Sequence, residues 1–407
     1  MIRQLLFLAL ILLLSGPAAT RTLHVGPGQS YSSIRRALDA AGTGDRIIVH
    51  AGTYQECPVV IDRSITLSGY GLPILDAQGE REGVIIEADS VTVEGFEIRH
   101  TGYSYIEDRA GIRVKRNKAF TIRNNRLILT FFGIYLEHAR SGVVENNAIL
   151  GKPLGEANSG NGIHLWYCSE VDIRNNLIRG HRDGIYFEFA TDSRIRNNIS
   201  EDNLRYGLHF MFSNDDIYTG NTFRENGAGV AVMFSRRIRM LHNLFHLNWG
   251  QAAYGLLLKE IYDAEIRNNT FLENTIGVYV EGSTRIRYRH NEFNRNGWAL
   301  KMSGGCLDNI VNENNFLHNT FDLSLNSAPN NNSFDGNFWS DYNGYDLGRD
   351  GVGDVPYHPV KLFNYVVNRT PEAMVLLRSL FVSLLNFSEK VSPSLTPANV
   401  ADNAPFM

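Results

Sequence analysis

Two imidazoles and two thioethers fall at fixed offsets behind a recurring glycine. His164 and His209 stand two places after Gly162 and Gly207, and Met211 and Met233 stand four places after Gly207 and Gly229. Thioether sulfur and imidazole nitrogen form a soft donor set that suits Cu(I). Trp166, Tyr186 and Glu188 share the same two offsets, and Arg237 follows shortly after. Exposed Met and aromatic side chains also mark contact surfaces, and composition alone favours that second reading.

The element that must position these groups is a repeat. GIHLW, GIYFE, GLHFM, GVAVM and GLLLK begin at Gly162, Gly184, Gly207, Gly229 and Gly255, at intervals of 22, 23, 22 and 26 residues. Within each unit the residues one and three places after the glycine are apolar, and the one between them varies. That is the period of a half-buried strand. Units of this length, with Gly and Asn at corners that need left-handed backbone, predict an all-β fold, a right-handed parallel β-helix in which each unit buries its apolar face on the next. GIRVK at Gly111, GIYLE at Gly133, GVYVE at Gly277 and ALKMS at Ala299 extend the pattern. About eleven rungs are expected, a rod about 50 Å long. The stripe of His164, His209, Met211 and Met233 is expected on its outer surface.

Met1 to Ala19 has the form of a secretory signal peptide: Arg3, the run LLFLALILLL and a small-residue end. Residues 20–58 read as an entry cap with a short amphipathic helix in Ser30–Ala41, residues 59–337 as the solenoid and residues 338–358 as a closing Asp/Gly loop. Within that loop Asp346, Asp350 and Asp354 resemble an oxygen-donor Ca²⁺ site, although the spacing departs from an EF-hand and a turn explains the composition as well. Residues 359–407 predict one helix from Pro371 to about Phe387, with Leu377 and Phe381 among its apolar residues, and then an extended tail. This helix either lids the rod or lies against a membrane partner.

The net charge of −4, without a basic run, speaks against nucleic acid as a partner. Cys57, Cys168 and Cys306 fall on distant rungs and are expected as free thiols. Polysaccharide lyases, glycosidases and epimerases share this architecture, so a secreted carbohydrate-active or carbohydrate-binding β-helix is the alternative reading. Glycoside hydrolysis needs two convergent carboxylates. In the central stripe only Glu188 qualifies, with Asp183, Asp215 and Asp216 at corners.

GNGIHLW (160–166), GHRDGIYFE (180–188), RYGLHFMFSND (205–215), VMFSRR (232–237), GLLLKE (255–260), the NFWSDYNGYDLGRDGVGDVPY run (337–357) and the tail ending APFM resemble the NosD family. That resemblance implies a non-catalytic periplasmic protein. Its partners would be an ABC transporter, a lipid-anchored copper chaperone and nitrous oxide reductase, whose copper–sulfide centre is built with the delivered copper. Under it, the His164/His209/Met211/Met233 stripe becomes a candidate for transient Cu(I) handling. Trp166, Tyr186, Glu188 and Arg237, and Pro371, Leu377 and Phe381 in the C-terminal helix, become candidate partner contacts.

Overall fold

The computed structural model describes residues 20–104, 106–153, 155–156, 159–250, 253–325, 331–391 and 400–407. The expected signal peptide at 1–19 lies outside them.

Every strand pairing among the described residues that joins named strands is parallel, and each strand pairs with the strand one turn earlier and one turn later. Three sheets result, of 13, 12 and 13 strands. This is the expected right-handed parallel β-helix, with about thirteen turns where eleven were expected. The two extra turns come from segments without the glycine signature. Thr22–Val25 and Arg46–His50 open the first sheet, and Phe338–Trp339 closes the third. At strand spacing the rod is about 60 Å long.

Register explains the repeat. Ile134, Ile163, Ile185, Leu208, Val230 and Leu256 are successive Cα partners, all fully buried. On the third sheet Phe223, Phe245, Phe271, Phe293, Phe316 and Trp339 stack inside the rod at centroid separations of 4.1 to 5.6 Å. The Asn-Asn pairs divide their labour at one corner. The first Asn takes positive φ, as at Asn175 and Asn197, both near 53–54°. The second turns inward: Asn198 Nδ2 donates to Asn221 Oδ1 at 3.0 Å and to the Ile173 carbonyl at 2.9 Å. A second asparagine ladder runs from Asn203 to Asn319 at another corner.

The helix α1 (Ile34–Ala40) covers the first turn, with Ser33 as N-cap and the Glu56 carboxylate accepting from the Ile34 and Arg35 N–H groups at 3.0 and 3.1 Å. The far end departs from expectation. Instead of one helix from Pro371 there are α2 (Leu362–Arg369), a 3-10 segment Pro371–Leu376 and α3 (Leu380–Val391). The break has a local cause: Ser379 Oγ accepts from Val382 N–H at 3.4 Å and starts a new helix. Phe363 and Val367 of α2 and Val382 of α3 pack on Phe321, with Leu377 against them. Among the described residues no helix is long and apolar enough to cross a membrane.

Of the tail expected to be extended, 392–399 lies outside the described residues, and the rest is pinned to the last turn. Asp402 is fully buried, and its carboxylate accepts from the N–H groups of Gly336 and Asn337 at 2.9 Å each and from Trp339 Nε1 at 2.8 Å.

Candidate functional site

The central stripe lies on the outer face of the 12-stranded sheet. Tyr135, His164, Tyr186, His209 and Ala231 are consecutive register partners. Glu137, Trp166, Glu188, Met211, Met233 and Lys259 form the next column. Strand alternation therefore predicts which face these residues share.

It does not predict their exposure. His164 and His209 are 7% and 4% exposed, so neither is a surface ligand. The cause is a continuous stack of rings. His164 meets Tyr135 and Tyr186 at 4.8 Å each, and Tyr186 lies on His209 at 4.6 Å and 20°. Phe132 and Tyr206 close the flank at 5.6 and 4.8 Å. Wide rings one rung apart shield each other as they would in a core. The Tyr186 ring stands between the two imidazoles, so the four expected soft donors do not converge. Burial pushes the His164 pKa down and so favours the neutral ring, and Glu188 at 3.7 Å opposes it.

Behind the stack lies a pair absent from the expected site. Asp183 is fully buried, yet its carboxyl is held down to about 2: burial raises it, and Arg205 and His209 more than offset that. Arg205 Nε and Nη2 donate to it at 2.8 and 2.5 Å, and His209 Nδ1 stands 3.6 Å away. The available signal was an acid and a base 22 residues apart, one period, which places them on adjacent rungs. Arg237 with Asp215 repeats this spacing at the surface, at 2.5 and 2.6 Å.

Met211 and Met233 are direct Cα partners and half-exposed. The Tyr186 hydroxyl stands 3.7 Å from the Met211 sulfur. One residue further, His138, Tyr167, Phe189, Phe212 and Phe234 stack along the corner at 4.6 to 5.2 Å, with planes within 17°. All five have φ between 49 and 53°. Left-handed backbone is costly for a bulky side chain, and the same corner accepts Gly282 further along. Tyr167, Phe212 and Phe234 nevertheless remain 39 to 48% exposed. Trp166 packs edge-on against His138 and Tyr167. The edge thus offers two thioethers bordered by exposed rings, a donor set that can hold a soft ion weakly but cannot enclose it.

Elsewhere the acidic loop is occupied with its own backbone. Asp346 accepts from Asp350 and Gly351 N–H at 3.3 and 2.9 Å, Asp350 from Val352 at 2.9 Å and Asp354 from Leu347 at 2.6 Å. Among the described residues no three His, Cys, Asp or Glu side chains are grouped to hold a metal ion. These bonds are those of the turn that Asp346, Asp350 and Asp354 build. Cys57, Cys168 and Cys306 are free and buried, and burial raises the first two thiols to about 12. At the C-terminal end Phe381, Leu380, Leu384 and Phe387 are 55 to 74% exposed, whereas Leu377 faces the Phe321 cluster and Pro371 opens the 3-10 segment.

The family model for "Periplasmic copper-binding protein (NosD)" matches residues 151–344. A probable ABC transporter binding protein NosD of Pseudomonas aeruginosa is 29% identical over 425 residues, covering 91% of this chain and 90% of its own length. The protein of that name from Stutzerimonas stutzeri is 27% identical over 377 residues, covering 88% and 85%. Among solved structures, the Agl-KA catalytic domain superposes with a TM-score of 0.59 at 14% identity, over 77% of this chain and 69% of that one. The A-module of the Azotobacter vinelandii mannuronan C-5 epimerase AlgE4 gives 0.50 at 16%, over 75% and 87%. These two share the fold. The matched segment contains the ring stack from His164 to His209 and the methionine edge, and the two relatives extend the likeness to the NosD family over 91% and 88% of this chain.

Proposed function

We propose that this protein works in the periplasm as a non-catalytic assembly factor, receiving Cu(I) from a lipid-anchored chaperone and passing it on for the copper–sulfide centre of nitrous oxide reductase, in concert with an ABC transporter. The family's printed description as periplasmic and copper-binding, and the relatives' name as ABC transporter binding proteins, support the setting. The observation that carries the reading is the Met211–Met233 pair, in register on a half-exposed edge.

A carrier must release its cargo. Two thioethers without a charged ligand bind a soft ion reversibly, where a buried thiolate cage would retain it. In this reading the thioethers hold Cu(I), the strained aromatic corner is the chaperone's docking edge with Trp166 and Arg237 beside it, and Tyr186 positions Met211. His164 and His209 serve the wall from within. The apolar face of α3, with Phe381 at its centre, is the transporter contact. Cu(I) titration under reducing conditions tests the cargo site. Equal affinity of wild type and Met211→Ala/Met233→Ala removes it and leaves the edge as an interface only.

A further inference from the structure

Three histidines on the rod's surface face an acid: His100 meets Asp76 at 3.2 Å, His246 meets Glu273 at 3.7 Å and His290 meets Glu313 at 3.0 Å. His24 and His50 face each other instead. His24 Nδ1 and His50 Nε2 lie 3.0 Å apart, and among the described residues no third His, Cys, Asp or Glu joins them. Two neutral imidazoles share one proton at such a contact, and a second proton there sets two cations side by side. A carboxylate would serve either ring better, so packing alone does not account for the pair.

The strands hold the two rings in place. His24 belongs to Thr22–Val25 and His50 ends Arg46–His50, the first two strands of the sheet that opens the rod. In register His24 stands opposite Ile48, so the rings meet on the diagonal, two residues apart along the strand. Both alternate with buried neighbours and point outward, half-exposed. Gly26 leaves that diagonal open, since a Cβ there would lie 3.1 Å from the His50 Cβ. The Tyr54 hydroxyl donates to the His50 carbonyl at 2.8 Å, and the His50 ring sits between His24 and Tyr70 at centroid separations of 5.3 and 5.5 Å.

The separation selects the ligand. Imidazole nitrogen suits Zn, Cu and Ni, with bonds of about 2.0 Å. Two such bonds at a right angle place their nitrogens about 2.8 Å apart, against about 3.3 Å on a tetrahedral ion and about 4.0 Å on a linear one. The 3.0 Å found here is nearest the cis edge of a tetragonal centre, the geometry of Cu(II) and Ni(II). We propose that His24 and His50 form a bidentate site for a tetragonal divalent ion, Cu(II) or Ni(II), with water at its open positions. The bridging proton moves to the far nitrogen of its own ring, and the ion binds the two facing lone pairs. Thr22–Val25 has a strand neighbour on one side only, so the ion clips the end strand to the rod. The site is separate from the methionine edge, whose sulfur suits Cu(I), and stands whether or not that edge carries copper.

Calorimetric titration of the metal-free mature chain with Cu²⁺, Ni²⁺ and Zn²⁺ tests it, with His24→Gln and His50→Gln as variants and His290→Gln as a surface control. The tightest site is expected to take one Cu²⁺ at micromolar affinity. Either His24→Gln or His50→Gln should weaken it about tenfold or more, while His290→Gln and Met211→Ala/Met233→Ala leave it unchanged. The electron paramagnetic resonance spectrum of the Cu²⁺ complex should show splitting from two nitrogens in wild type and from one in each variant. Without metal, both variants should melt within a few degrees of wild type, because the rings are half-exposed, so loss of the ion is told apart from loss of the fold. Three results overturn the proposal: no saturable Cu²⁺ binding by wild type below about 100 μM, equal affinity in either variant, or Zn²⁺ bound more tightly than Cu²⁺. The pair is then a hydrogen bond between two rings and nothing more.

Discussion

Met211 and Met233 lie side by side on neighbouring strands, four places after two glycines that are themselves 22 residues apart. Removing both thioethers should weaken Cu(I) binding by about tenfold or more, read in competition with a chromogenic chelator under reducing conditions. Stability should change little, because both side chains are half-exposed. An unchanged affinity would take the cargo site away from this edge.

Asp183→Asn should be among the most damaging single changes. It leaves the half-buried Arg205 without its carboxylate and sets an amide at a fully buried position, an expected cost of about 1–3 kcal/mol. The sign of the pH effect follows. Asp183 titrates near 2 when folded, below its unfolded value of roughly 4, so its stabilisation is present above about pH 4 and lost as pH falls toward 2. Urea melts between pH 5 and 2.5 should show that slope in wild type and a shallower one in Asp183→Asn.

The inner asparagines are a second weak point. Asn221 donates to Asn243 and the Ile195 carbonyl and accepts from Asn198, so Asn221→Ala leaves buried groups unpaired on two adjacent rungs. A loss of about 1–3 kcal/mol for each stranded group is expected by denaturant titration. A loss under 1 kcal/mol would mean that water replaces the amide.

How much of this could be read in the chain differs by level. The rod was legible because Gly, the paired apolar residues and Asn recur at a fixed period, and register turned that period into contacts. Which residues share a wall, Met211 with Met233 or His164 with Tyr186, followed from the same count. Burial on the outer face did not, because alternation says which way a side chain points and nothing of the rings beside it. The break in the C-terminal helix was not legible, because Ser379 sits within a largely apolar run and its capping role shows only in its contact with Val382 N–H. The first turns lacked the glycine used to count.

Cys168 gives a check on the interior. With its thiol raised to about 12 and its Sγ 3.3 Å from the Leu136 carbonyl, it should resist a disulfide-exchange reagent in the native protein and react once unfolded. Rapid native labelling at residue 168 would show that this corner opens.

On α3, Phe381→Glu with Leu384→Glu should abolish co-purification with the transporter while leaving the melting temperature within a few degrees, since both side chains are 55% exposed. Retained co-purification would place that contact elsewhere. Truncation is a poorer test, because Val400 and Asp402 are part of the last turn's packing.

The seal on that last turn comes from the final stretch of chain, where Asp402 grips Gly336, Asn337 and Trp339 and Phe406 bridges Phe338. A polypeptide made from its N-terminus onward can wind each coil on the one before, but its growing tip stays sticky until Asp402 and Phe406 arrive. The arrival of that segment is therefore the moment at which the rod stops being a template for another strand. A chain lacking residues 402–406 would keep its coils and leave an open, adhesive end.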